Sequence, residues 1–211
     1  KMYKSKKLTN DELDLLKSAQ DNTSSIKLSM LIDKKKRKTV GTAVALNEAV
    51  LFSNQELHDF FYAHINWSEQ KDAEKKTGFS IKTLEMPFPI QPIFRAMGNW
   101  TLMRFLQFFG APIVIAKMNS KIYSSGSVSF ALYTDISSGE SMITSGRLFE
   151  RLWLQTTYMG LSFQPLMGIA FLMHRVRAGK LTSLSDKHVA YITDAYAMLT
   201  ESFDIPDGKI I

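Results

Sequence analysis

The chain has 211 residues, 45% hydrophobic and 22% charged, an ordinary globular balance that can build one sizeable core. It contains no cysteine, which excludes disulfides, zinc–cysteine sites, iron–sulfur clusters and thiol nucleophiles. The net charge is +6, with cations gathered at Lys1, Lys4, Lys6 and Lys7 and in the run Lys34 to Lys38. Nucleic acid could use such clusters, but no RNA-binding signature or repeated basic helical face accompanies them, so a solvated tail and loop is the simpler reading. Apolar stretches break before the roughly 18 residues a membrane span needs. With no N-terminal apolar run either, the expectation is a cytoplasmic protein with no membrane partner.

Leu8 to Ala19 reads as a first helix, with Thr9 or Asn10 as its cap and Asp11 and Glu12 in its first turn, where the helix dipole favours negative charge. Asp21 to Ser25 is a polar break. Ile26 to Ile32 alternates in polarity, a strand signal. The Lys34–Lys38 run follows as a loop or the start of a helix. Val40 to Leu51 is strongly apolar and helical, and its small residues Gly41, Ala43, Ala45 and Ala49 allow close helix packing. Asn54 to Asn66 is a third helix, carrying Leu57, Phe60, Phe61 and Ile65, and Trp67 to Gly78 is charged and exposed.

Pro87, Pro89 and Pro92 mark an irregular, extended segment. Ile93 to Phe109 reads as one apolar helix whose Phe and Met content suits a core, or else one wall of a ligand pocket. Ala111 to Lys117 is β-branched and reads as a buried strand, and Ser127 to Thr134 as another. Ser138 can cap the helix that follows. From Gly146 to Gly160 that helix is apolar over most of its circumference, with Arg147, Glu150, Arg151 and Gln155 on one narrow stripe. Such a helix must be covered on several sides, which makes it the expected centre of the fold. Gly160 is its natural stop. Asp186 to Phe203 is a final helix, and Lys209 to Ile211 resembles the opening of a strand. Helices mixed with a few strands give an α+β class and a single domain, which could belong to a longer protein.

Familiar catalytic signatures are missing. There is no phosphate-binding P-loop, no G-x-S-x-G elbow and no G-x-G-x-x-G after a strand. His58 and His64 lie six apart on one helix, too far for an i,i+4 metal pair, and His174 and His188 are isolated. No metal site and no catalytic residue is assigned. Glu56 with Asp59 reads as a solvated or capping pair.

One stretch carries a resemblance. Gly146, Glu150, Arg151, Trp153, Leu154, Gly160, Leu161, Gln164 and Pro165 match the pattern G-x-x-x-E/Q-R-x-W-L-x-A-x-x-x-G-L-x-x-Q-P. This resembles the late helix and following loop of a divergent branch of the flavin-dependent nitroreductase family. Asn54, Glu56 and Leu57, and the Gly78–Met86 stretch, are also similar to that branch. The resemblance implies a central mixed or antiparallel sheet flanked by helices, with FMN as cofactor. It implies electron transfer from NAD(P)H to a small acceptor, and a homodimer to which the Val40–Leu51 helix contributes.

Carried over by position, Pro165 and Leu166 would pack on the flavin ring, and Met167 and Gly168 would offer backbone N–H groups to it. Many family members have an acidic residue where Met167 stands; here only the amide remains. At the phosphate end the family uses N-terminal arginines, whereas this chain has none before Arg37. Lys4, or Lys6, would stand in as a point charge without arginine's bidentate fork. Ser24 is the single match in the family's flavin-contacting turn, without its proline or asparagine. These departures keep open an alternative, a flavin-free domain of the same fold serving interaction or dimerisation.

Overall fold

The computed structural model describes residues 6–20, 25–135 and 138–209. It has α+β architecture, dominated by helices. The longest strands, β1 (Lys27–Leu31) and β4 (Ser129–Tyr133), pair antiparallel with Lys27 opposite Tyr133 and Leu31 opposite Ser129. Alternation sends their side chains to opposite faces. Leu31 and Ala131 join one core with Val40, Val44, Leu199 and Phe203. Leu28 and Leu132 pack on the other side against Ile26, Leu148 and Leu152. The pair is therefore flanked by helices on both faces. A second, smaller pair, β2 (Ile65–Asn66) and β3 (Phe79–Ser80), is parallel and lies in a separate sheet.

The helix at the centre is α2 (Lys34–Leu51), not the Gly146–Gly160 stretch. Asp33 caps α2, its carboxylate accepting from the Lys36 N–H at 2.7 Å. One side of α2 lies against α7 (Ala111–Tyr123), where Ala45, Ala49 and Ala116 share a cluster. At Gly41 a Cβ would stand 2.8 Å from the Ser120 carbonyl oxygen, so only glycine permits this approach. The other side faces α10 (Asp186–Ser202) and α9 (Gly168–Arg177). The small residues of α2 are thus covered within the chain. The basic run forms its first turns: Arg37 is buried and donates through Nε to the Ile32 carbonyl at 3.1 Å and through its guanidinium to Gly126.

Three other expectations change. Ala111–Lys117 is not a strand but the opening of α7, started by left-handed Gly110 and by Pro112 in the first turn, where a missing N–H costs nothing. Packing of Ala116 against α2 overrides the β preference of Ile113, Val114 and Ile115. Ile93–Phe109 is two helices, α5 (Gln91–Ala96) and α6 (Trp100–Phe108), because Asn99 starts a new one by accepting from the Leu102 N–H at 3.1 Å. It is not core, since only Met103 of α6 is buried while Ile93, Phe105 and Phe109 are exposed. The helix expected to be covered on several sides, α8 (Gly139–Tyr158), buries just Ser141, Leu148, Leu152 and Thr156 and leaves Ile143, Leu154 and Tyr158 in the open.

The remaining helices agree more closely. Thr9 caps α1 (Asn10–Lys17) in a reciprocal box with Glu12, and Ser138 caps α8. Asn54 caps α3 (Gln55–Ala63). The charged 67–78 stretch is exposed as expected but forms α4 (Glu69–Lys75). Among the described residues no single helix is long and apolar enough to cross a membrane.

Candidate functional site

The residues matched to the flavin-contacting loop form a continuous ledge between α8 and α9. Its upstream boundary is a complete Schellman ending. Gly160, at φ +67°, lets its own N–H reach the Thr157 carbonyl (3.0 Å) and the Leu161 N–H reach that of Thr156 (2.8 Å). The chain then runs without regular structure to Met167. One side chain fixes its path. Phe163 lies 5.7 Å from Trp153, nearly parallel to it, and 5.2 Å from Phe149, edge-on, both on α8, and it approaches Phe130 of β4. Such aromatic pairs add about 0.5–1.5 kcal/mol each beyond their buried area.

Past that anchor, Pro165, Leu166 and Met167 are exposed, and Gly168 begins α9. Met167 gives α9 no side-chain cap, and the first helical acceptor is used by Phe171, which donates to the Met167 carbonyl at 3.0 Å. The first-turn N–H groups, starting at Gly168, therefore have no acceptor within the helix and carry the positive end of its dipole. Gly168 sits against Asn47 of α2, whose side-chain amide occupies the space a Cβ would need. The ledge thus offers an apolar strip, backbone donors and one neutral amide. It can seat a flat, partly apolar ring and hydrogen-bond its edge. Lys4 and Ser24 lie outside the described residues.

The sequence pointed to Pro165, Leu166, Met167 and Gly168, and these are contiguous in space. It missed Phe163 and Asn47. Phe163 lies inside the matched stretch, and its aromatic character was the available signal. Asn47 left none, because its closeness to Gly168 arises only when α2 and α9 pack.

Two of the histidines are tied into the structure by their rings. His58 is fully buried among Phe52, Tyr62 and Trp100, with Nε2 2.9 Å from the Met97 carbonyl oxygen. His188 accepts at Nδ1 from the Ser185 N–H (3.2 Å), so Nε2 carries the proton and donates to Ser53 Oγ (3.0 Å). Burial, helped by the Lys187 charge, holds its pKa below the usual imidazole value. Behind α7, Glu48 accepts from the Tyr123 hydroxyl at 2.5 Å, and burial raises the pKa of both. Among the described residues no group of three His, Asp or Glu side chains could hold a metal ion.

No protein-family model matches this chain, and no curated protein and no solved structure is significantly similar to it.

Proposed function

We propose that the chain is an FMN-dependent, nitroreductase-like oxidoreductase domain that passes electrons from NAD(P)H to a small acceptor in the cytoplasm. The observation that carries this reading is the ledge itself: a helix closed by Gly160, a loop anchored by Phe163, the exposed strip Pro165 to Met167 and the first-turn N–H groups of α9 follow one another in unbroken order. When bound, FMN supplies the redox chemistry, and the protein's part is binding, orientation and exclusion of water. Pro165 and Leu166 pack on the ring. The N–H groups at Met167 and Gly168 donate to its edge. Met167 holds no transferable proton, so it shields the ring without serving as an acid. By the resemblance alone, Lys4 serves the phosphate and Ser24 the flavin-contacting turn; both lie outside the described residues.

Homodimerisation belongs to the same proposal, and its support is exposed apolar surface on α8. Among the described residues, Leu154 and Tyr158 there are exposed. The flavin-free alternative draws on the same exposed surface. Titration with FMN, followed by flavin fluorescence, separates the two. The oxidoreductase reading expects saturable binding that Pro165→Asp weakens at least tenfold while the thermal midpoint is unchanged, because Pro165 is exposed. Equal affinity in Pro165→Asp and its parent overturns the ledge assignment.

A further inference from the structure

The helical corner formed by α6 and α7 carries a second surface that the proposed chemistry does not use. The two helices meet at 88° across Phe109 and left-handed Gly110. Leu102, Phe105, Phe108, Phe109, Val114 and Met118 are exposed there, Phe108 at 87% and Phe109 at 66%. Phe105, Phe108 and Phe109 cluster at the apex, where Phe109 lies 5.2 Å from Phe105 and 5.5 Å from Phe108 by ring centroids. A cluster of that size needs an explanation, because soluble surfaces ordinarily scatter their large apolar side chains.

Charge identifies the occupant. Between Glu85 and Asp135 the chain has no acidic residue but has Arg95, Arg104, Lys117 and Lys121. Arg104, Lys117 and Lys121 are exposed and make no ion pair among the described residues. The carboxylate packed behind α7, Glu48, points inward to Tyr123. A second copy applying the same patch about a twofold axis would set these cations against their own kind. An anionic bilayer surface complements both parts, receiving the phenylalanines at the acyl boundary and the cations among its headgroups. Neither helix alone is long and apolar enough to span a bilayer; the pair together is, but bent by 88°, and we read that bend, with cations beside the apolar side chains, as a shallow wedge in one leaflet.

We propose that the α6–α7 corner docks the protein peripherally on anionic membrane surfaces, with Phe108 and Phe109 inserted and Arg104, Lys117 and Lys121 at the headgroups. This departs from the expectation of no membrane partner, which rested on the lack of a spanning segment. It is independent of flavin binding, so either can fail alone.

The test is co-sedimentation of the full chain with vesicles of phosphatidylcholine alone and of phosphatidylcholine mixed with phosphatidylserine, at low and high salt. The expected result is binding to the mixed vesicles that weakens as salt rises. Phe108→Asp with Phe109→Asp should reduce it at least tenfold, as should Lys117→Glu with Lys121→Glu. Both pairs are exposed, so unchanged circular dichroism will show the fold intact. No binding to the mixed vesicles overturns the proposal. So does equal binding by the phenylalanine variant, or a phenylalanine variant that turns a dimer into a monomer while the parent ignores lipid.

Discussion

At the residue scale, single backbone and ring positions set local stability. Gly78 has φ +82°, and a Cβ there would overlap the His64 carbonyl oxygen, the group that accepts from the Phe79 N–H at 2.9 Å to start the β2–β3 pair. Gly78→Ala should therefore cost about 1–3 kcal/mol, read as a lower urea midpoint at constant slope. A midpoint equal to the parent's would show that this corner relaxes freely. His188 gives the chain a pH dependence. Its folded pKa is depressed, so the unfolded chain binds the proton more readily, and stability falls as pH drops through about 6.5 toward the lower folded value. The loss levels off below that value. His188→Gln should flatten this limb of a stability–pH curve between pH 8 and 5. A limb of unchanged steepness in the variant would assign the effect to another group.

Elements show where sequence patterns carry information and where they do not. Caps at Thr9 and Ser138 were legible because they are local: each accepts from a backbone N–H three residues on. So was the Gly160 stop. Strand β1 followed from alternation over a short run, and β4 falls within Ser127–Thr134, read as a buried strand. Ala111–Lys117 misled because β-branched residues inside a buried helix and inside a buried strand look alike; the Gly110-Ala-Pro112 start was the better guide. Around α8, apolar residues on nearly every side suggested burial on nearly every side, yet burial needs neighbours, and among the described residues they stand along one stripe, Leu148, Leu152 and Thr156 with Ser141. The centre passed to α2 because its small residues admit other backbones. Gly41→Leu should drive α2 from Ser120 and Ser124 and cost about 1–3 kcal/mol by overpacking. Part of that should return on adding Ser124→Gly, measured as a double-mutant cycle in urea. Strict additivity of the two would contradict close α2–α7 contact as the cause.

On the scale of the whole molecule, the fold places two unlike surfaces on one scaffold built around α2. The ledge after α8 was readable because its residues are neighbours in sequence, and its relation to Asn47 was not, because that depends on how α2 and α9 meet. The α6–α7 corner was read as core for a comparable reason: composition registers apolar residues without registering what faces them. The central claim is that the ledge seats a flavin, and it has a direct measurement in the visible absorbance spectrum of the purified protein with and without added FMN. The account predicts a bound-flavin spectrum approaching one FMN per chain, bleached on adding NAD(P)H. A colourless protein that takes up no FMN would contradict it and leave the flavin-free interaction domain as the reading of this fold.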